Sequence, residues 1–95
     1  MELHLVKKNG VLEAQFDAPD WGQGEKIIAH LKKRFDARVV DKAEGPDART
    51  WTLEIEGVPF VANQWDTGDI SLFAKVPEGN PLTERIAKSI GQEVS

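Results

Sequence analysis

The sequence predicts an α+β fold: a mostly antiparallel sheet of about six strands, in the order ββαββββα, with two helices packed on one face. Three observations predict it. Turn signals at 9–10, 56–57 and 66–68 separate short runs of apolar residues. Those runs alternate apolar and polar residues with the period of two that is typical of strands. Two other segments, at 21–35 and 81–90, carry apolar residues at helical spacing.

Asn9-Gly10 predicts the first hairpin, because a type I′ turn requires a positive φ at both central positions. Folding the chain there pairs Lys8 with Val11. Directly paired residues share a face of the sheet, so this register can be tested against the apolar pattern. It gathers the apolar residues on one side: Leu3, Leu5, Leu12, Ala14 and Phe16.

The first helix is predicted to begin after Asp20, which can cap it, with Gln23 at the reciprocal position of a capping box. Cations in its last turn favour the helix dipole, and the helix is expected to end near Asp36. The apolar stripe predicted to face the sheet comprises Trp21, Gly24, Ile27, Ile28, Leu31 and Phe35.

The register of the next strand, at 38–43, is open. One register places Val39 inward against Trp51 and sets Asp41 beside Arg49. A shift by one residue turns the following valine inward instead, because successive side chains alternate between faces.

Residues 50–56 alternate cleanly, and a tight turn at Glu56-Gly57 would join them to another strand. This turn collects apolar pairs on one face: Ile55 with Val58, Leu53 with Phe60, and Trp51 with Ala62.

The loop at 66–68 fits a three-residue hairpin connection that ends in a left-handed glycine. Its register sets two kinds of pair on opposite faces of the sheet. Ala62 with Leu72 and Phe60 with Ala74 fall on the core face, whereas Val61 with Phe73 and Trp65 with Asp69 fall on the reverse.

The second helix is predicted to be capped by Asn80, to hold Pro81 in its first turn and to stop at Gly91. Its buried stripe comprises Leu82, Ile86 and Ile90.

Length and composition predict one globular domain over 1–95, with 40% apolar and 29% charged residues. The chain has no cysteine, which excludes disulfides, thiolate metal sites and a cysteine nucleophile. The N-terminal segment lacks the apolar run of a signal peptide, and no stretch reaches the roughly 20 apolar residues that span a bilayer. We therefore expect a cytoplasmic protein without membrane association.

The Gly22-Gln23-Gly24 segment at the start of the first helix is a poor match to a dinucleotide-binding turn, because Ile27 stands where a third glycine belongs. Gly24 is instead expected to let the helix lie close to the sheet. The basic run at 32–34 does not indicate nucleic-acid binding, since the net charge is −4 and no aromatic residues interleave with it.

The two histidines, His4 and His30, do not form a close ligand pair, and no serine lies in a nucleophile elbow. Asp66 and Asp69 flank a turn, where aspartate commonly binds local backbone donors. The sequence thus predicts no catalytic residue, no metal site and no cofactor, and it favours a binding protein over an enzyme.

The most informative residues lie on the predicted face away from the helices, which we call the open face. Val61, Trp65 and Phe73 place apolar and aromatic groups there among polar neighbours, the pattern of an interface hot spot. Glu54 and Asp69 would supply its polar rim. The sequence therefore predicts a protein-interaction module, whose partner is another protein or a second copy of the chain.

The alternative is a small-molecule binding protein, or a minor enzyme, with a pocket between the sheet and the helices. His30, Gln64 and Arg49 are its candidate polar residues. Such a site requires a cavity of roughly 300 Å³ or more with converging polar groups.

Overall fold

The structure is a computed structural model that describes residues 2–18 and 20–93, so the ends of the predicted domain and residue 19 lie outside the described residues. It confirms the α+β fold and the element order. The elements are β1 (Leu3–Lys8), β2 (Val11–Asp17), α1 (Trp21–Phe35), β3 (Arg38–Glu44), β4 (Ala48–Ile55), β5 (Val58–Trp65), β6 (Asp69–Ala74), a 3₁₀ turn (Pro77–Gly79) and α2 (Asn80–Glu93).

The six strands form one sheet in the order β1-β2-β6-β5-β4-β3, and every neighbouring pair is antiparallel. Strands β1 and β3 are therefore its two edges. Both helices cover the same face, and the core lies between that face and their apolar stripes. The largest fully buried side chains are Trp51, Phe16, Phe60, Ile27, Leu31, Leu53, Ile55, Ile70, Leu72, Ile86, Ile90 and Gln64.

The three predicted hairpin registers are confirmed. Asn9 and Gly10 both have positive φ, as a type I′ turn requires, and Glu56 and Gly57 repeat this geometry. Gly68 ends the third loop with a φ of 101°. The pairs that define the three registers include Leu3 with Phe16, Leu53 with Phe60, and Val61 with Phe73.

Of the two predicted registers for β3, the first correctly turns Val39 inward against the core, but the strand partners of both are wrong. Val39 lies opposite Leu53 rather than Trp51, and a bulge follows before Asp41 resumes the pairing opposite Thr52. The extra residue shifts the rest of the strand, so Lys42 becomes the residue opposite Trp51 on the helix-covered face. Both predicted registers assume that side chains alternate between the two faces of the sheet along the whole strand, and the bulge interrupts that alternation.

The helix ends follow the prediction in part. Asp20 caps α1 by accepting from the amide of Gly22, but the side-chain oxygen of Gln23 is buried without a hydrogen-bond partner, so no capping box forms. Asp36 ends α1 in the left-handed conformation. Gly91 does not stop α2, which continues to Glu93.

Asn80 does not use its side chain to cap α2. Its amide group bonds the first hairpin instead, accepting from Leu12 N at 2.9 Å and donating to Gly10 O at 2.8 Å. This contact joins the start of α2 to a turn far away along the sequence, which a local capping rule does not anticipate.

Candidate functional site

The open face is the sheet surface opposite the helices, and the strand registers set its residues in rows. One row crosses four neighbouring strands and another runs beside it. The first row is Val6, Glu13, Phe73 and Val61, and the second is His4, Gln15, Ser71 and Asn63.

The three predicted anchors all lie on this face. Val61 and Phe73 are directly opposite each other and half-buried among their neighbours. Trp65, at the end of β5, leaves 47% of its surface exposed. An indole that remains this exposed forgoes part of the roughly 1.5–3 kcal/mol that burial of a large apolar side chain provides.

A groove with a volume of about 390 Å³ lies beside Trp65, and we call it the Trp65 groove. It runs over the open face from β5 across β6 and β2 to β1, so that His4 lies at its far end from Trp65. A second hollow of about 330 Å³ adjoins Phe73 and Val11. Lys8 and Glu13 line both cavities and therefore lie between them.

The middle of the surface is held by short polar contacts. The Glu13 carboxylate accepts from Lys8 Nζ at 3.3 Å and from Gln15 Nε2 at 2.6 Å. On the β5 side, Thr50 Oγ1 donates to Asn63 Oδ1 at 2.8 Å. These contacts satisfy several of the polar groups that line the Trp65 groove.

Two aspartate carboxylates face each other at the Trp65 groove. Asp17 on β2 lies directly opposite Asp69 on β6, and both side chains are exposed and line the groove. Like charges directly opposite each other destabilise a sheet. Among the described residues, neither carboxylate forms an ion pair with a lysine or arginine.

The two predicted rim residues are separated. Asp69 lines the Trp65 groove, whereas Glu54 lies near the β3 edge and pairs with Arg38 at 3.2 Å. Sequence reasoning missed Asp17, Glu13 and Gln15, because they join the site only when β2 lies beside β6. Alternation along the first hairpin is consistent with the face on which Glu13 and Gln15 lie, but the sequence does not determine the strand order that brings β2 to this site.

The residues of the alternative pocket fill the space between sheet and helix instead of lining a cavity. Gln64 is 1% exposed, donates to the carbonyl of Asp20 at 3.2 Å and accepts from Arg49. The Arg49 guanidinium lies over the rings of Trp21 and Trp51, with its central carbon 4.4 and 5.1 Å from their centroids. These groups fasten α1 to the sheet, and neither cavity described above touches Gln64 or Arg49.

The third residue of that alternative, His30, lies elsewhere, between the two helices. Its Nε2 is 2.8 Å from Ser89 Oγ. Burial lowers the pKa of His30 below its usual 6.5; Glu93 opposes this, and Arg34 and Lys33 add to it. A serine beside an imidazole is the first element of a nucleophilic pair, but Ser89 also donates to Glu93, and neither cavity reaches it. The contact joins helix to helix.

Part of the basic cluster near the end of α1 is neutralised within the fold. Arg34 is paired with Glu93 on α2, and Arg38 is paired with Glu54 on β4. Lys32 and Lys33 are exposed.

Comparison with known proteins finds no match to a family model, to a curated protein or to a solved structure. Within residues 2–18 and 20–93, no three or more acidic or histidine side chains are grouped so that they could hold a metal ion. In the same part of the chain, neither helix has the length and apolar character needed to cross a membrane.

Proposed function

We propose that this protein is an interaction module that binds a basic segment of another protein across its open face. A lysine or arginine of that partner would lie in the Trp65 groove, between the indole and the facing carboxylates of Asp17 and Asp69. The absence of cysteine fits the cytoplasmic location that we propose for it.

The observation that carries this proposal is the pair of facing aspartates. A sheet gains nothing from two carboxylates directly opposite each other, and substitution of either would remove the repulsion. A cation from a partner would offset the repulsion between the two carboxylates and form a charge-assisted hydrogen bond with each of them. The net charge of −4 also favours the approach of a basic segment.

Trp65 provides the second half of the recognition. A cation over an indole face gains electrostatic attraction, and more when the partner excludes water from the contact. The half-exposed ring forms one wall of the groove that contains both aspartates. Val61 and Phe73 lie on the same face, separated from Trp65 by the pair Asn63 and Ser71, and would contact the apolar part of the same segment.

The test is a fluorescence titration with short lysine- and arginine-containing peptides, each matched by a peptide with glutamine at the basic positions. We expect basic peptides to bind and their glutamine counterparts to bind at least about tenfold more weakly. The Trp65→Ala/Phe73→Ala double variant should lose this binding. Because it loses the reporting indole, its titration is followed by calorimetry.

Trp21→Ala is the matched control, since it removes the other exposed tryptophan, on the helix side of the molecule. Peptide affinity should be unchanged in this variant once folding is verified by circular dichroism. Equal binding of basic and glutamine peptides, or undiminished binding by the folded double variant, would contradict the proposal.

A further inference from the structure

The two edges of the sheet differ in how they are protected. Strand β3 has a bulge after Val39 and carries charged residues along its length, both of which discourage pairing with another strand. Strand β1 pairs with β2 over all six of its residues without a bulge, proline or glycine. It also exposes apolar groups on both faces, with Leu5 45% and Val6 36% exposed.

The free main-chain groups of β1 can be identified from its pairing. The Asp17 amide donates to the Glu2 carbonyl at 3.3 Å, so Glu2 directs its main-chain groups toward β2. Main-chain direction alternates along an antiparallel strand. Leu3, Leu5 and Lys7 therefore direct their amide and carbonyl groups outward, at the edge.

We propose that β1 pairs antiparallel with β1 of a second copy of this chain, about a two-fold axis at Leu5. This register sets Leu5 opposite its own copy and Leu3 opposite Lys7, so that the outward groups meet in about six main-chain hydrogen bonds. It joins the two sheets into one, with the helices of both copies on the same side.

The side chains of β1 are complementary in this register. Leu5 contacts Leu5 of the second copy on the helix-covered side, and Val6 lies opposite His4 on the open face. At each end of the ladder Glu2 lies opposite Lys8 of the second copy. Lys8 is exposed and contacts Glu13 of its own chain at 3.3 Å, so its ammonium can bridge the two carboxylates. The strand thus buries its exposed apolar groups and pairs its terminal charges at once.

Sedimentation equilibrium over a concentration series reaching the high micromolar range tests the pairing. The wild-type chain should approach twice the 10.6 kDa of one chain. A chain that stays at 10.6 kDa throughout the series would overturn the proposal.

Leu5→Pro removes only an outward amide, so the β1–β2 ladder should survive while pairing with the second copy is lost. Leu5→Lys places two like charges on the two-fold axis and should also give a monomer, which covers the case in which the proline variant does not fold. The matched control is Val40→Lys on the other edge, where Val40 is 55% exposed. It should remain dimeric, and a monomeric Val40→Lys variant would contradict the assignment to β1.

Charge reversal tests the register. Glu2→Lys alone and Lys8→Glu alone should each weaken the dimer about tenfold or more in dissociation constant. The Glu2→Lys/Lys8→Glu double variant should recover most of that loss, because the opposite charges again face each other across the two-fold axis. A double variant whose loss of dimerisation free energy equals the sum of the losses in the two single variants would overturn this register.

Discussion

At the scale of single residues, the facing aspartates and the exposed indole are two features that do not favour the stability of the isolated chain. Asp17 and Asp69 repel each other across neighbouring strands, and Trp65 leaves much of its ring in water. In contrast, buried Gln64 has partners for both ends of its amide. Groups that are unfavourable in the isolated chain and lie together at one groove are typical of a binding surface that is not occupied by its partner.

The aspartate pair predicts that one substitution changes the stability of the fold and the affinity for basic peptides in opposite directions. Asp69→Asn should raise the free energy of unfolding by about 0.2–1 kcal/mol, because it removes the like-charge contact with Asp17. The same variant should bind basic peptides more weakly. Urea unfolding and peptide titration measure the two effects on one preparation.

Asp66→Asn is the control for that prediction, since Asp66 lies in the turn next to Trp65 and does not line the Trp65 groove. It should leave the affinity for basic peptides unchanged. If Asp69→Asn destabilised the fold and left peptide affinity intact, the role assigned to the pair would be wrong.

The partly buried imidazole of His30 predicts that stability depends on pH. The pKa of His30 is lower in the folded chain, chiefly because burial disfavours the charged ring, so the unfolded chain binds more protons just below pH 6.5. The free energy of unfolding should therefore fall as the pH drops from 6.5 toward the lowered folded pKa. His30→Gln should lose this component, which is measured as the difference between the two urea-unfolding profiles over pH. Identical pH profiles for the two chains would contradict it.

At the scale of elements, structure that depends on local sequence was predictable and structure that depends on distant contacts was not. The hairpin turns specify their own registers, and all three were predicted correctly. The bulge in β3 was not predicted, because it serves a contact between separate elements. It lets Lys42 reach Glu25 on α1 at 3.1 Å. Asn80 likewise binds a distant hairpin in place of its own helix.

The close contact between α1 and the sheet was predictable from Gly24, and its cost can be measured. A Cβ at this position would overlap the amide oxygen of Gln64 and lie 3.0 Å from Trp51 Cη2. Gly24→Ala should therefore lower the free energy of unfolding by about 1–3 kcal/mol.

Gly22→Ala is the control, because its Cβ would lie no closer than 3.5 Å to Asp20. A helical alanine at such a site should stabilise the fold by about 0.5–1 kcal/mol relative to glycine. Urea unfolding compares the two variants, and equal stability would mean that α1 does not pack as closely as the structure has it.

At the scale of the whole molecule, the strand order creates the candidate site. Hairpin registers do not determine which hairpins lie side by side. The sequence therefore predicts Trp65 and Asp69 as part of the site, but it does not predict that Asp17 lies next to them. Placing β2 against β6 brings these residues to one groove. In the proposed dimer, both grooves would lie on the same side of a continuous sheet, where one extended partner could contact both.

The most direct measurement of the central claim uses the indole N–H resonances of the three tryptophans in a nitrogen–proton NMR spectrum. Trp51 is buried, Trp21 lies on the helix side, and Trp65 lies at the groove. On titration with a basic peptide we expect the Trp65 indole resonance to shift while those of Trp21 and Trp51 stay in place. A shift of the Trp21 resonance with Trp65 unmoved would contradict binding at the open face.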